Sequence, residues 1–160
     1  MSSETLIGDK HFTISALLVS TEEVPRIVLH FHRKFQLWLQ PGGHIERDEN
    51  PVDALLREVR EETGIDVAPY LSRGTKQDEH ALSLPVPDFM EEQSIDPHAD
   101  QPAHFHLDFQ YIVRLPFREL KPSEGESMEI GWYTHQETKN LPMFDNTRML
   151  LERVFGKVSA

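Results

Sequence analysis

The sequence contains no cysteine in its 160 residues. Disulfides, a thiolate zinc site and a cysteine nucleophile are therefore excluded, and a reducing compartment fits. No apolar run approaches the roughly 18 to 20 residues that a membrane span needs, and Met1 to Lys10 lacks the apolar stretch of a signal peptide. The expectation is a cytoplasmic protein without membrane contact. Positive charge is also scarce: 16 Lys plus Arg stand against 27 Asp plus Glu, a formal net charge of -11. Such a balance opposes broad binding to a nucleic acid backbone, while a small phosphorylated ligand handled through metal ions stays compatible. Internal repeats and low-complexity tracts are missing. With hydrophobic residues at 38% and charged residues at 27%, the chain is expected to form a single domain over 1–160.

Phe12 to Val19 and Arg26 to His32 flank the acidic connection Thr21 to Pro25 and read as adjacent strands. Gln36 to Gln40 reads as a short third strand, and Pro41-Gly42-Gly43 after it predicts a sharp turn through backbone angles open to glycine. Asn50 and Pro51 then supply an N-cap and a first helical residue, Val52, Leu55, Leu56 and Val59 form one apolar stripe, and Gly64 stops the helix. The spacing predicts a helix over Pro51 to Thr63. Between Gly74 and Ala103, four prolines and several acids predict a long functional loop.

From His104 to Leu115 the residues alternate. Phe105, Leu107, Phe109, Tyr111 and Val113 are expected to enter the core, which sends His106 and Asp108 to the opposite face and away from any core position. Ile130 to Thr134 reads as a further strand. Asn146 to Phe155 reads as a closing helix with Met149, Leu150, Leu151 and Val154 as its apolar side.

On the predicted helix, Glu58, Glu61 and Glu62 are related by i+3 and i+4 spacing, which gathers three carboxylates on the face away from the apolar stripe. Like charges so placed cost roughly 0.2 to 0.5 kcal/mol per pair, so a cation is the expected partner. Oxygen ligands with water positions to spare suit Mg²⁺ or Mn²⁺. The chemistry this supports is hydrolysis of a phosphate ester or diphosphate, in which the metal activates a water and a remaining glutamate takes its proton. At Gly43 the missing Cβ lets the backbone approach a metal or phosphate, and its carbonyl can serve as a ligand. The same pattern also describes an ordinary solvated helix, since Asp53 with Arg57 and Arg57 with Glu61 are opposite-charge i,i+4 pairs.

The stretch from Gly43 to Ile65 resembles the Nudix box: Gly, five residues, Glu, seven residues, then Arg-Glu-apolar-x-Glu-Glu-x-Gly-apolar. Gly43, Glu49, Arg57, Glu58, Val59, Glu61, Glu62, Gly64 and Ile65 fill every specified position. Outside the box the likeness is one of layout, including Glu129-x-x-Trp132. The resemblance implies an α/β Nudix fold, with a mixed β-sheet sandwiched between α-helices. It implies metal-dependent cleavage of a diphosphate linkage in a nucleoside diphosphate derivative or a nucleoside triphosphate. Glu58, Glu61 and Glu62 would bind the metal with the Gly43 carbonyl, and Arg57 would pair with Glu49 to hold the loop on the helix. Glu61, Glu62 and Arg57 are the catalytic candidates. The general base is left open between Glu61 and a later acid, for which Glu124, Glu126 and Glu129 are the candidates.

His104-x-His106-x-Asp108 offers imidazoles and a carboxylate on one strand face, a set for lining a substrate cleft or for zinc. His106 and Asp108 are the candidates for contact with a base or ribose. His44, within the box loop, is in reach of a phosphate, and Phe31, Phe35, Trp38 and Phe89 are either base-stacking or core residues. The proline and tyrosine that mark the ADP-ribose and dinucleoside polyphosphate subgroups after the box are both absent. The expected partner is a small nucleotide or nucleoside diphosphate derivative and not a nucleic acid polymer, with a homodimer left open. The alternative on the same fold is a non-catalytic nucleotide sensor, for which a missing box glutamate would be the mark. An isoprenoid diphosphate isomerase would want a cysteine near the site.

Overall fold

The computed structural model describes residues 4–159, so the ends of the expected 1–160 domain, residues 1–3 and 160, lie outside it. The chain runs β1 (Lys10–Ser20), β2 (Arg26–His32), β3 (Leu37–Leu39), β4 (Gly42–His44), α1 (Pro51–Thr63), β5 (Thr75–Lys76), β6 (Leu82–Ser83), β7 (Phe89–Ile95), β8 (His104–Leu115), β9 (Ile130–Thr134), α2 (His135–Thr138) and α3 (Asp145–Val158). A seven-stranded mixed sheet has the order β3-β2-β1-β8-β7, with β4 added to β1 and β9 added to β2. Its centre is the parallel pair β1 and β8, in register from Lys10 opposite Phe105 to Ser20 opposite Leu115.

Each face of the sheet is covered by a helix. Ile14, Ala16 and Leu18 of β1 and Tyr111, Val113 and Leu115 of β8 pack on Ala54, Leu55 and Val59 of α1. Leu17 and Val19, with Ile27 and Leu29 of β2, pack on Leu150, Leu151, Val154 and Phe155 of α3. A sheet buried on both faces explains why β1 is solidly buried from Thr13 to Ser20 instead of alternating. The architecture is the α/β sandwich that the box implied.

Five sequence expectations change, the last of them in β8. Pro41-Gly42-Gly43 is no sharp turn: Gly42 and Gly43 belong to β4, which pairs antiparallel with Thr13–Ser15, and neither has a positive φ. The third strand shortens to Leu37–Leu39, and Gln36 before it takes φ 55°. Within the expected loop from Gly74 to Ala103 lie the β5–β6 hairpin and the seven-residue strand β7, which closes the sheet edge beside β8. In the closing helix Met149, expected on the apolar side, is 67% exposed, and Phe155, not expected there, is buried in the core.

The strand β8 departs furthest from expectation. Asp108 is 2% exposed, and His104 and Gln110 are buried as well, whereas Phe105, Leu107 and Phe109 are only partly buried. Alternation correctly separates the two faces, but the polar one is buried at His104, Asp108 and Gln110 as the apolar one is at Tyr111 and Val113. Asp108 is tolerated there because Thr13 and Ser15, on the neighbouring strand, donate hydrogen bonds to it.

Candidate active site

Local chemistry fixes α1 at both ends. Asn50 Oδ1 accepts from the amides of Val52 and Asp53 at 2.9 and 3.0 Å, and Asp53 Oδ2 accepts from the Asn50 amide at 3.3 Å. At the other end Gly64 adopts φ 75°, and a Cβ there would sit 2.4 Å from the Lys121 carbonyl oxygen. The predicted and observed helices share both bounds.

Arg57 ties the preceding loop to this helix. Its Nε and one terminal nitrogen donate to the two Glu49 oxygens at 2.8 Å each, and that terminal nitrogen also donates to the His44 carbonyl at 3.0 Å. The other terminal nitrogen donates to Glu58 Oε1 at 2.9 Å and reaches Glu61 Oε2 at 3.5 Å. A planar fork can satisfy this many acceptors at once, and an ammonium cannot. Hydrogen bonding from Arg57 holds the Glu49 carboxyl below its ordinary pKa.

The three helix acids are not equivalent. Glu61 remains half-exposed, Glu58 is partly covered, and Glu62 is 8% exposed, so the cluster reaches inward instead of lying on a solvated face. Glu62 Oε1 accepts from the Gly42 amide at 3.3 Å, while Oε2 is buried without a hydrogen-bond partner among the described residues. His30 Nε2 stands 3.4 Å from that oxygen. Burial lowers the His30 pKa to about 4, so the ring carries no charge at neutral pH to pair with Glu62. Burial, and next the adjoining Glu58, push the Glu62 carboxyl up to about 9. An unpartnered buried oxygen beside two further carboxylates is an arrangement that a hard cation completes, so the residues present fit Mg²⁺ or Mn²⁺.

Gly43 sits against the same acids. A Cβ on it would lie 2.3 Å from Glu58 Oε1, and one on Gly42 would lie 2.2 Å from the Ile14 carbonyl oxygen. Both glycines therefore serve close approach and not backbone freedom. Among the later acids, Glu126 has its pKa raised by burial and by the charges of Glu58 and Glu61. Its loop is fixed beside the helix by the Ser123 amide, which donates to the Glu61 carbonyl at 2.8 Å. Sequence spacing held no sign of this choice, because the loop returns to α1 from far downstream, Ser123 meeting Glu61.

A cleft of about 460 Å³ adjoins Gly42 and Gly43. It opens where the sheet divides: β1 pairs with β2 at Val19 opposite Ile27, but with β4 over Thr13–Ser15. His30, Phe35, His44, His106, Asp108 and Phe144 are among its lining residues. Phe35 and Phe144 are 41% and 40% exposed, and Phe35 stacks on His32 with ring centroids 4.5 Å apart. Trp38 and Phe89 pack against the α3 core instead, with Phe31 against Trp38.

His106 and Asp108 border this cleft from the side opposite the box helix. Because Tyr111 and Val113 face α1, strand alternation turns residues 106, 108 and 110 toward the α3 side. Asp108 Oδ1 accepts from Thr13 at 2.8 Å, and Oδ2 accepts from Ser15 at 2.6 Å and from Gln110 at 3.1 Å. Its oxygens are thus committed within the sheet. The trio His104, His106 and Asp108 is not assembled as a ligand set; His11, from the neighbouring strand, takes the third place.

A family model described as the NUDIX domain matches residues 9–154. A probable DHNTP pyrophosphohydrolase of Lactococcus lactis is 27% identical over 125 residues, covering 78% of this chain and 63% of that protein. An m7GpppN-mRNA hydrolase of Danio rerio is 36% identical over 72 residues, covering 43% of this chain and 24% of that protein. The chain thus spans less than two thirds of the length of either relative. Among solved structures, a NUDIX family hydrolase from Clostridium perfringens superposes with a TM-score of 0.72 at 28% identity, covering 92% of this chain and 97% of that one. Among the described residues, no helix is long and apolar enough to cross a membrane.

Proposed function

The chain belongs to the Nudix family, and from that premise we propose that it is a Mg²⁺- or Mn²⁺-dependent hydrolase. It cleaves a diphosphate linkage in a nucleoside triphosphate or nucleoside diphosphate derivative. The observation that carries this reading is the unpartnered, buried Glu62 Oε2 beside Glu58 and Glu61, on a helix whose loop is held by Arg57. Glu58, Glu61 and Glu62, with the Gly43 carbonyl, would hold the cation. When bound, it offsets the phosphate charge and lowers the pKa of an attacking water.

The chain's own residues do the rest. The water oxygen attacks phosphorus, the bond from phosphorus to the bridging oxygen breaks, and the released phosphate group leaves with that oxygen. Glu126 accepts the water's proton in this reading, because it stands beside the acid cluster with a pKa raised toward the working range. Arg57 contributes by fixing the loop and aiming Glu58. The exposed rings of Phe35 and Phe144 at the cleft give a heterocyclic base a surface to stack on. The likeness to a probable DHNTP pyrophosphohydrolase supports a triphosphate carried on a fused heterocycle. A long RNA is disfavoured by the net charge of -11.

A screen of nucleoside triphosphates, nucleoside diphosphate derivatives and dihydroneopterin triphosphate with Mg²⁺, reading released phosphate, diphosphate or monophosphate, tests this. Turnover should vanish in excess chelator. Glu61→Gln and Glu126→Gln should each lower kcat by about 10² to 10⁴ while the fold persists. Full activity in chelator would overturn the reading. An unaffected Glu126→Gln enzyme would hand the base role to Glu61.

A further inference from the structure

On the other face of the sheet, parallel pairing sets His11 of β1 directly opposite His106 of β8. His104, two residues along β8, shares the His106 face by strand period, and His44 enters from β4 opposite Thr13. His11, His104 and His106 each offer a ring nitrogen, and the three nitrogens lie within 4.8 Å of one another.

Two details mark more than crowding. His104 Nδ1 lies 2.8 Å from the Pro102 carbonyl oxygen, which can only accept, so Nδ1 carries the proton and Nε2 is left with its lone pair. That lone pair faces His106 Nε2 at 3.2 Å. On a tetrahedral zinc with bonds of about 2.05 Å, two nitrogen ligands stand roughly 3.3 Å apart. Metal-bound histidines commonly donate their second ring nitrogen to a backbone carbonyl, as His104 does to Pro102. The second detail is that His11 Nδ1 is buried without a hydrogen-bond partner among the described residues.

We propose that His11, His104 and His106 form a zinc site, with His44 able to supply a fourth nitrogen. The ring of His44 is centred 5.0 Å from that of His106 and 5.4 Å from that of His11. Imidazole donors select zinc over Mg²⁺, whereas the carboxylates on α1 suit Mg²⁺ or Mn²⁺, so two sites on opposite faces of one sheet are built for different ions. Asp108 takes no part, since Thr13, Ser15 and Gln110 occupy it. A cavity of about 500 Å³ bordered by these histidines gives an ion its entry path. The bound zinc would pin β1 to β8, and through His44 it would pin β4. This inference does not depend on the hydrolase reading.

The test uses the full chain without an affinity tag, stripped by chelator and returned to buffer with excess Mg²⁺. Zn²⁺ is titrated by calorimetry and Co²⁺ by visible absorption. One Zn²⁺ per chain should bind with a Kd under about 1 μM, and Co²⁺ should show the intense bands of a four- or five-coordinate ion. His106→Ala and, separately, His11→Gln should each weaken Zn²⁺ by at least about 100-fold. Glu58→Gln and Glu62→Gln should leave it unchanged. Circular dichroism of each metal-free variant establishes its fold, and either folded histidine variant suffices. Failure to bind one equivalent, or binding that survives the histidine changes and is lost with Glu58→Gln, would overturn the site.

Discussion

Stripping the protein of divalent metal and measuring its stability from pH 5 to pH 8 singles out Glu62. Its carboxyl ionises near 4.5 in an unfolded chain and at about 9 in the folded one, because burial and Glu58 disfavour the charge. As pH rises above about 4.5 the unfolded chain releases this proton while the folded chain keeps it. The unfolded state therefore gains, and the folded state is fully favoured only below that point. One proton of difference gives a slope of about 1.4 kcal/mol per pH unit, or roughly 3 kcal/mol lost by pH 7. In a chain of this length that amounts to about 3 to 5 °C in Tm per unit. Glu62→Gln keeps a carbonyl for the Gly42 amide and has no charge to bury. The variant should thus be the more stable protein at pH 7 in chelator, by an amount that shrinks toward pH 5. Adding Mg²⁺ should reverse the order, since a cation stabilises only the ionised wild-type carboxylate. Denaturation by urea at each pH, wild type against variant, reads the difference directly. Parallel curves across the whole range would refute the account of Glu62.

Three more outcomes follow from the same geometry. Gly43→Ala should fold but lose most activity, because its Cβ would displace the Glu58 carboxylate from 2.3 Å; a fully active variant, measured by initial rates, would contradict this. Arg57→Lys gives up the two-point grip on Glu49 and the His44 carbonyl, so amides of residues 43–49 should exchange hydrogen faster; unchanged exchange with reduced activity would make Arg57 a substrate contact instead. Binding to RNA should be weak and show little salt dependence. Faster removal of diphosphate from a 5′-triphosphorylated RNA than from any free nucleotide would count against a small-molecule substrate.

The helix and its loop were legible because their determinants are local. Asn50 and Asp53 cap each other, Val52, Leu55 and Val59 repeat at helical spacing, and Arg57 reaches Glu49 eight residues away. What stayed hidden depends on strands brought together from far apart. Alternation in β8 separated Asp108 from Tyr111, but the partners that let Asp108 be buried are Thr13 and Ser15 of β1, far away in sequence. His11 drew no notice as a lone histidine, since its neighbours His104 and His106 are remote in sequence. The acids of β7 masked a strand because an edge position leaves Glu92 in solvent and asks for no apolar residue there. Glycines 42 and 43 were legible as necessary but not for their reason, which is the nearness of Ile14 and Glu58.

The ladder joining β1 to β8 also governs the order in which the chain can assemble. Every pair in it, from Lys10 with Phe105 to Ser20 with Leu115, closes across 95 residues of sequence. During synthesis the apolar run Ile14 to Val19 emerges first and then waits for its central partner until residue 115 has left the ribosome. The capped helix α1 needs no such delay, so it can form before the middle of the sheet exists. A nascent or truncated chain ending before residue 104 would carry β1 with an open, apolar edge, the kind of surface on which strands from other chains pair. Self-association should therefore be a hazard of the incomplete chain, removed when β8 docks.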